Sequence, residues 1–366
     1  MVNETVLEID LSALKKNYLF LKSIIPPKTL FLAVVKAFAY GSDAVVVAKY
    51  LEKLGVDYFA VAYIEEGVAL RKAGVKTPIL VLHPQPVNFR KAIEFNLEPS
   101  LYSERVLNAF VAAAAEMKQK KFPVHIKFNT GLNRLGFQNK ASKRIAFRLS
   151  KENTIKVKSI FSHLAASEDS EERAFTLRQI DQFSEICEAF EGGYGKLPLR
   201  HLCNTSGVVN YPGAAFDMIR CGIGLYGYDN RTGCSNNLLP VLSLKSVISQ
   251  IHELKRGDSV GYNRAYVADA KKTIATLPLG HADGIGRQYG NGVGYVSIQN
   301  QKAPIVGNVC MDMIMIDVSD IDCQEGDHVV VFDGVTSAEH FAENGKTISY
   351  ELLTALSRRI KRRLVE

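Results

Sequence analysis

The chain has 366 residues, 47% of them hydrophobic and 23% charged, which describes an ordinary globular protein of two or three domains and excludes a disordered or collagen-like one. No apolar run approaches the roughly 18 residues of a membrane helix, and MVNETVLEID has no basic stretch leading into an apolar one, so no membrane span and no secretion signal are expected. Much of the +7 net charge gathers in Arg358, Arg359, Lys361, Arg362 and Arg363; with no stacking-aromatic motif beside it, that run reads as a solvated helix end complementing the macrodipole, and no nucleic-acid partner is expected.

A strand over Thr5–Ile9 opens the chain and is free to pair with either domain. Leu11, Leu14, Tyr18, Leu21 and Ile25 recur at helical spacing behind Asp10 or Ser12 as cap, and Pro26-Pro27 stops that helix. An apolar strand over Leu30–Val35 follows, then a helix over Asp43–Leu54, a strand over Tyr58–Ala62, a helix over Glu65–Ala73 and a strand over Pro78–Leu82. Strands continue at Pro99–Tyr102, Pro123–Phe128, Lys156–His163, Leu199–Leu202 and Phe216–Arg220, with helical runs such as Glu104–Lys120 and Glu171–Phe190 between them. About eight strands over roughly 220 residues match an α/β fold of the (β/α)8, TIM-barrel type better than an open doubly wound sheet, which the alternation alone also permits.

Near Asn236 the texture changes. Val241–Glu253, Ala265–Leu277, Val293–Ile298, Ile314–Val318 and His328–Phe332 are β-rich runs set between Gly, Asn and Asp turns. A basic helix from about Tyr350 to Leu364 is expected to end the chain. The barrel is thus expected over residues 10–235 and a mostly β domain over 236–366, joined by the strand in residues 1–9.

Lys36 follows Phe31-Leu32-Ala33-Val34-Val35 and so falls at the C-terminal end of the first barrel strand, the face on which barrel active sites lie. It reads either as a strand-end lysine that snorkels or as a desolvated amine suited to Schiff-base chemistry with an aldehyde. The run Arg220-Cys221-Gly222-Ile223-Gly224-Leu225-Tyr226-Gly227 ends the eighth strand, where barrels often bind phosphate through backbone amides, although a tight turn explains it equally. The glycines of 283–286 and 290–294 lack a P-loop context and read as turns. Arg134, His163, and His201 with Asn204 and Thr205 stand near the ends of further strands, and several polar groups from different strands on one face look like a site. The six cysteines (Cys187, Cys203, Cys221, Cys234, Cys310 and Cys323) form no CxxC pair and no metal spacing, so no metal is expected and a reducing cytoplasm fits.

Taken in order, these strings resemble the alanine racemases, a pyridoxal-phosphate-dependent family, over essentially the whole chain. Ala33-Val34-Val35-Lys36-Ala37-Phe38-Ala39-Tyr40-Gly41 is similar to the cofactor-attachment signature, which implies Lys36 as the Schiff-base lysine and Tyr40 as a phosphate contact. Lys127-Phe128-Asn129-Thr130-Gly131 leading to Arg134-Leu135-Gly136 resembles the segment with the substrate-side arginine, where Lys127 corresponds to a lysine that is often carbamylated. The resemblance implies that His163, Asn204, Thr205, Arg220, Gly222, Ile223 and Tyr350 bind the cofactor, with Arg220 facing the pyridine nitrogen. It further implies Tyr262, in Gly261-Tyr262-Asn263, as the second catalytic base beside Lys36. Met311 and Asp312, in Cys310-Met311-Asp312, belong to the segment that approaches the substrate carboxylate. The family shares its active sites across a homodimer, and the implied substrate is alanine, with D-alanine going to the cell wall.

The sequence departs from the family pattern in four places. Phe38 replaces Asn, Ser42-Asp43 replaces His-Gly, Thr205 replaces Ser, and His281 in Gly280-His281-Ala282-Asp283-Gly284 replaces a tyrosine of the substrate entrance. The competing readings are a racemase for larger amino acids, a fold-related decarboxylase and a non-catalytic cofactor carrier. Arg220 argues against the decarboxylase, which needs a carboxylate at the ring nitrogen. The β domain with Tyr262 and Tyr350 argues against the carrier.

Overall fold

Asp10 is both the last residue of strand β1 (Val6–Asp10) and the cap of the first helix (Leu11–Ser23), its carboxylate accepting from the Ala13 amide at 2.8 Å. The computed structural model describes residues 4–229 and 237–365; the domain junction expected at 235–236, and Cys234, lie outside the described residues.

The first half holds short strands, most of them covered on both faces and so without alternation. Eight of them, β2 (Leu30–Val34), β3 (Tyr58–Val61), β4 (Ile79–Val81), β5 (Glu98–Leu101), β6 (Phe122–Lys127), β7 (Ile155–Phe161), β8 (Leu199–His201) and β9 (Met218–Cys221), pair in parallel in the order β8-β7-β6-β5-β4-β3-β2-β9. Backbone bonds from the Asp217 amide to Arg200 O (3.1 Å) and from the Arg220 amide to Cys203 O (3.0 Å) bridge β8 to β9. The sheet therefore curls into a barrel rather than staying open. Helices between the strands cover it, among them Ala44–Lys53, Glu104–Glu116 and Arg173–Tyr194.

The second half is antiparallel. β10 (Leu242–Val247), β11 (Gln250–Leu254), β14 (Lys272–Leu277), β15 (Tyr295–Ile298), β16 (Gln301–Val306), β17 (Ile314–Asp317), β18 (His328–Phe332) and β19 (Lys361–Val365) join β1 in a sheet of order β11-β14-β17-β16-β15-β18-β10-β1-β19. A small ribbon, β12 (Ser259–Val260) with β13 (Tyr266–Val267), stands apart from it. β1 lies antiparallel to β10 and parallel to β19, so the opening strand pairs within the second sheet.

The expected basic helix over Tyr350–Leu364 is not formed. The helix runs only over Ser349–Ala355, and the chain then extends into β19. Three of the cations take tertiary partners of their own instead of sharing a helix end. Arg359 donates to Asp283 and to Asp312, Arg362 to a cluster of carbonyls, and Arg363 pairs with Glu8, which also takes Lys245. A basic strand also suits the open edge of a sheet, where charge discourages pairing with another chain.

Candidate active site

After β2 the backbone makes an unusual turn. Ala37, Phe38, Ala39 and Tyr40 all have φ between 52° and 56°, a left-handed turn built without glycine. Such a conformation costs about 1–2 kcal/mol per residue, so the surroundings must hold it. Glu66 does so from one side: one carboxylate oxygen accepts from the Ala37 amide at 2.6 Å and the other from the Ala62 and Tyr63 amides at 2.7 and 3.0 Å. Arg362 holds the other side, donating to Gly41 O at 2.8 Å. The turn leaves Lys36 half-buried, and withdrawal from water, then Arg134, depress its pKa against the opposing pull of Glu66.

The same turn swings Tyr40 inward. Its ring stacks on Tyr226 (4.6 Å between centroids) and leans on Tyr350 (5.8 Å). Gly222 must be glycine here, since a Cβ would stand 2.2 Å from the Tyr40 hydroxyl oxygen. The Gly222 and Gly224 amides converge on Thr205 Oγ1, both at 3.3 Å, next to Ile223. Backbone N–H groups, a threonine hydroxyl and a phenol thus share one small polar end of the cavity.

At the other end stands Arg220, buried on β9. Nη1 donates to His201 Nδ1 at 2.9 Å, and Nη2 to Ser162 O (2.7 Å), Leu202 O (3.0 Å) and His163 Nδ1 (3.0 Å). None of these bonds uses Nε. Both imidazole nitrogens facing a guanidinium must be acceptors, and burial together with Arg220 keeps the His163 and His201 pKa values well below the usual range. Phe161, at the end of β7, lies flat on His201 (4.7 Å) beneath Arg220 and Lys127. Burial, then Arg220, Arg134 and Lys36, bring Lys127 down to about 7.

A cavity of about 540 Å3 at the C-terminal ends of the strands gathers Lys36, Tyr40, Lys127, Arg134, His163 and Arg220 with Asn204, Thr205, Gly222, Ile223 and Tyr350. No carboxylate lines it among the described residues. The sequence analysis had passed over Tyr63, Leu82 and His83, which also line it. His83 stands two residues beyond β4, as His163 stands two beyond β7, so the strand-end rule that found His163 applies to it as well.

Three residues from the sequence analysis lie elsewhere. Tyr262, Met311 and Asp312 line a separate hollow of about 770 Å3 on the β domain. Tyr262 is 75% exposed and Met311 59%. The Asp312 carboxylate accepts from Arg359 at 2.7 Å, while Arg359 also grips buried Asp283 at 2.6 and 2.8 Å. The His281 turn is bonded to this segment, its amide donating to Cys310 O at 2.9 Å and the next to Met311 O at 3.0 Å. The His281 side chain borders a third, smaller cavity with Glu351, and Glu351 in turn borders an opening to Lys36 and Tyr350.

The other departures have local explanations. Phe38 faces outward under the Arg358 guanidinium, 4.1 Å from its ring centroid. Ser42 bonds Ala39 O at 2.6 Å, and Asp43 caps the helix Ala44–Lys53.

Residues 9–230 match the family described as "Alanine racemase, N-terminal domain", and residues 241–364 match "Alanine racemase, C-terminal domain". The chain belongs to the alanine racemase family. An alanine racemase of Halothermothrix orenii is 36% identical over 363 residues, 97% of this chain and 95% of that protein. The solved alanine racemase of Clostridium difficile 630 superposes with a TM-score of 0.93 at 32% identity, covering 100% of this chain and 97% of that one. That of Bartonella henselae, described with covalently bound pyridoxal phosphate, gives a TM-score of 0.90 at 29% identity over 99% of each chain. The alanine racemase N-terminal match spans the barrel with its cavity, and the C-terminal match spans the sheet that carries Tyr262, Met311 and Asp312.

Proposed function

We propose that this protein interconverts L- and D-alanine, using pyridoxal phosphate held through Lys36. The observation that carries the reading is the meeting, at one barrel mouth of an alanine racemase family chain, of a desolvated lysine, an amide-and-hydroxyl cradle, and a buried arginine. The cradle fits a phosphate: any side chain at Gly222 would fill it, and the cations around it favour an anion. When bound, the cofactor supplies the electron sink that makes the substrate's Cα proton labile.

The chain's own groups divide the rest of the work. Lys36 moves the proton on one face of Cα, as a lysine of lowered pKa can. With the cofactor in place Arg220 would set a cation against the ring nitrogen and, because two positive charges in contact are costly, would disfavour its protonation. This weakens the sink and limits side reactions; a decarboxylase would need a carboxylate there. Arg134 meets the substrate carboxylate. Since Asp312 is an anion already tied to Arg359, its segment meets that carboxylate through backbone groups rather than through its side chain.

Of the two bases that the family resemblance gives, Lys36 lines the barrel cavity, whereas Tyr262 stands exposed in a separate hollow on the β domain. A second copy would bring the two together. We infer a two-fold homodimer in which Tyr262 of the partner subunit completes each site and the apolar rim formed by Met311 and Met313 is covered. D-Alanine made in the cytoplasm for cell-wall synthesis is the role that fits; no helix among the described residues is long and apolar enough to cross a membrane.

A racemisation assay over a panel of amino acids, read by chiral chromatography, tests the reading. Alanine should be the fastest substrate, and the protein should show a visible absorbance that borohydride removes and that Lys36→Ala lacks. A larger amino acid racemised faster, or a reducible adduct persisting in Lys36→Ala, overturns it.

A further inference from the structure

A line of buried polar groups leaves the cavity and runs down the inside of the barrel. It begins where Arg220 Nη1 donates to His201 Nδ1 at 2.9 Å. His201 Nε2 lies 2.6 Å from Ser159 Oγ, Ser159 Oγ 2.6 Å from His125 Nδ1, and His125 Nε2 2.7 Å from Glu98 Oε2. His201, Ser159 and His125 have no exposed surface, and the Glu98 side chain keeps only 11% of its own. The last four stand on neighbouring strands β8, β7, β6 and β5. His201 closes β8 on the cavity side, whereas Glu98 opens β5 on the opposite side of the barrel, away from the chemistry.

The two ends dictate what lies between them. A guanidinium only donates and a carboxylate only accepts. His201 Nδ1 must therefore be bare, with its proton on Nε2. That proton goes to Ser159 Oγ, which gives its own to His125 Nδ1, and the His125 proton is left on Nε2 for Glu98. Every proton along the line points from the cavity toward Glu98. The reverse polarity would set N–H against N–H at Arg220, with no water-like partner to absorb the conflict in so buried a line.

We propose that Glu98 is a positioning residue: by accepting from His125 it holds His201 in the neutral, Nε2-protonated form and so keeps Arg220 aimed into the cavity. The polarity argument stands on the hydrogen bonds alone; its bearing on the cofactor ring rests on the proposed function. Replacing Glu98 by leucine leaves the His125 Nε2–H without an acceptor, which favours the other His125 tautomer. Its Nδ1–H turns Ser159 round to donate to His201 Nε2, which sets the demand of Ser159 against that of the guanidinium and leaves neither His201 tautomer satisfied at both ends. Glutamine at 98 still offers an acceptor oxygen and keeps the direction.

The test is 15N NMR of the histidine-labelled protein as isolated, beside alanine racemisation kinetics. In the parent, His201 and His125 should each show one protonated and one bare ring nitrogen, with the proton on Nε2, resonances being assigned by loss in His201→Asn and His125→Asn. Glu98→Gln should keep this pattern and the parent kcat. Glu98→Leu should draw the two His201 nitrogens toward a common average and lower kcat about tenfold, the scale of one lost hydrogen bond to a charged group, with KM little changed. Ser159→Ala cuts the line nearer the cavity: His125 should keep its pattern while His201 alone loses it. Should Glu98→Leu fail to fold, the parent pattern and Ser159→Ala still decide. A parent His201 protonated on Nδ1 or on both nitrogens overturns the proposal, as does equal behaviour of the Gln and Leu variants. Absence of alanine racemisation in the parent would sink the proposed function and leave the tautomer result standing.

Discussion

Lys127 is an amine crowded by other cations. Burial, then Arg220, Arg134 and Lys36, bring it to about 7 from the ordinary 10.5, so it is largely uncharged above pH 7 while an exposed lysine stays protonated to about pH 10. A free amine adds carbon dioxide and releases a proton, and the resulting carbamate is an anion among cations. Protein equilibrated with 13C-bicarbonate should therefore show a carbamate carbon resonance that grows as pH rises through 7 and is missing in Lys127→Met; a spectrum without it at pH 8 leaves Lys127 a bare amine. His281 borders a cavity that shares Glu351 with the opening to Lys36. His281→Tyr should change KM or substrate range more than kcat, because a residue at an entrance acts on access. A loss confined to kcat would place His281 in proton transfer. Residues of this kind were legible in unequal measure. Lys36, His163 and Arg220 could be found because strand ends on one face are where a barrel does its work. His125 and Glu98 could not, since a lone buried histidine in mid-strand looks the same in sequence whether or not a line of protons passes through it.

Among the elements, the left-handed turn over residues 37–40 and strand β19 depend on one another through Arg362. Its guanidinium donates to Gly41 O at 2.8 Å, Ser42 O at 3.3 Å and Ile360 O at 2.7 Å, with the Leu356 and Ser357 carbonyls also in reach. Gly41 itself has φ of 81°, and a Cβ there would strike Leu353 O at 1.9 Å. Arg362→Ala should cost about 2 kcal/mol in chemical denaturation, the scale of carbonyls left unpaired, and should weaken pyridoxal-phosphate binding because Tyr40 loses its support. Unchanged stability would mean that Glu66 alone holds the turn. The barrel strands were readable since most are short, largely apolar runs between helical repeats, although β7 carries exposed Lys156 and Lys158 and the three residues of β8 include Arg200 and His201. The tail was misread because a row of basic residues after a helical stretch has no period that distinguishes a helix end from an edge strand. β16 escaped notice for a different reason: Pro304 sits inside it, and proline usually argues against a mid-sheet strand. Gln299 and Asn300, both with positive φ, form the tight two-residue link that makes it the hairpin partner of β15.

At the scale of the whole molecule, the proposed reaction draws on two surfaces that one chain does not bring together. Lys36 lines the barrel cavity and Tyr262 lines the hollow on the β domain. Tyr262→Ala should exchange the α-proton of D-alanine with deuterated solvent far faster than that of L-alanine, since Lys36 still serves one face, while net racemisation collapses. Equal exchange of both enantiomers would overturn the two-base division. Mixing Tyr262→Ala with Lys36→Ala subunits should restore racemisation, because each mixed pair then has one site carrying both lesions and one carrying neither. No rescue on mixing would mean that the sites are not shared. Two-domain organisation was legible from the change in texture along the chain, but the proposed sharing of sites rests on the family resemblance alone, because nothing in a string of residues says which hollow faces another molecule.

The place of β1 also bears on how the chain is assembled. It leaves the ribosome before any of the barrel, yet its partners are β10 and β19, the latter at residues 361–365. The barrel strands are complete at Cys221 and can close while translation continues. Throughout that interval Leu7 and Ile9, both without exposed surface in the finished fold, have no sheet to enter. Asp10 meanwhile tethers them to the first barrel helix. Contacts so distant in sequence form slowly, so β1 gains its second neighbour only when the last strand is released, and a chain stopped short of Lys361 leaves β1, instead of the basic β19, as the outer strand of the sheet.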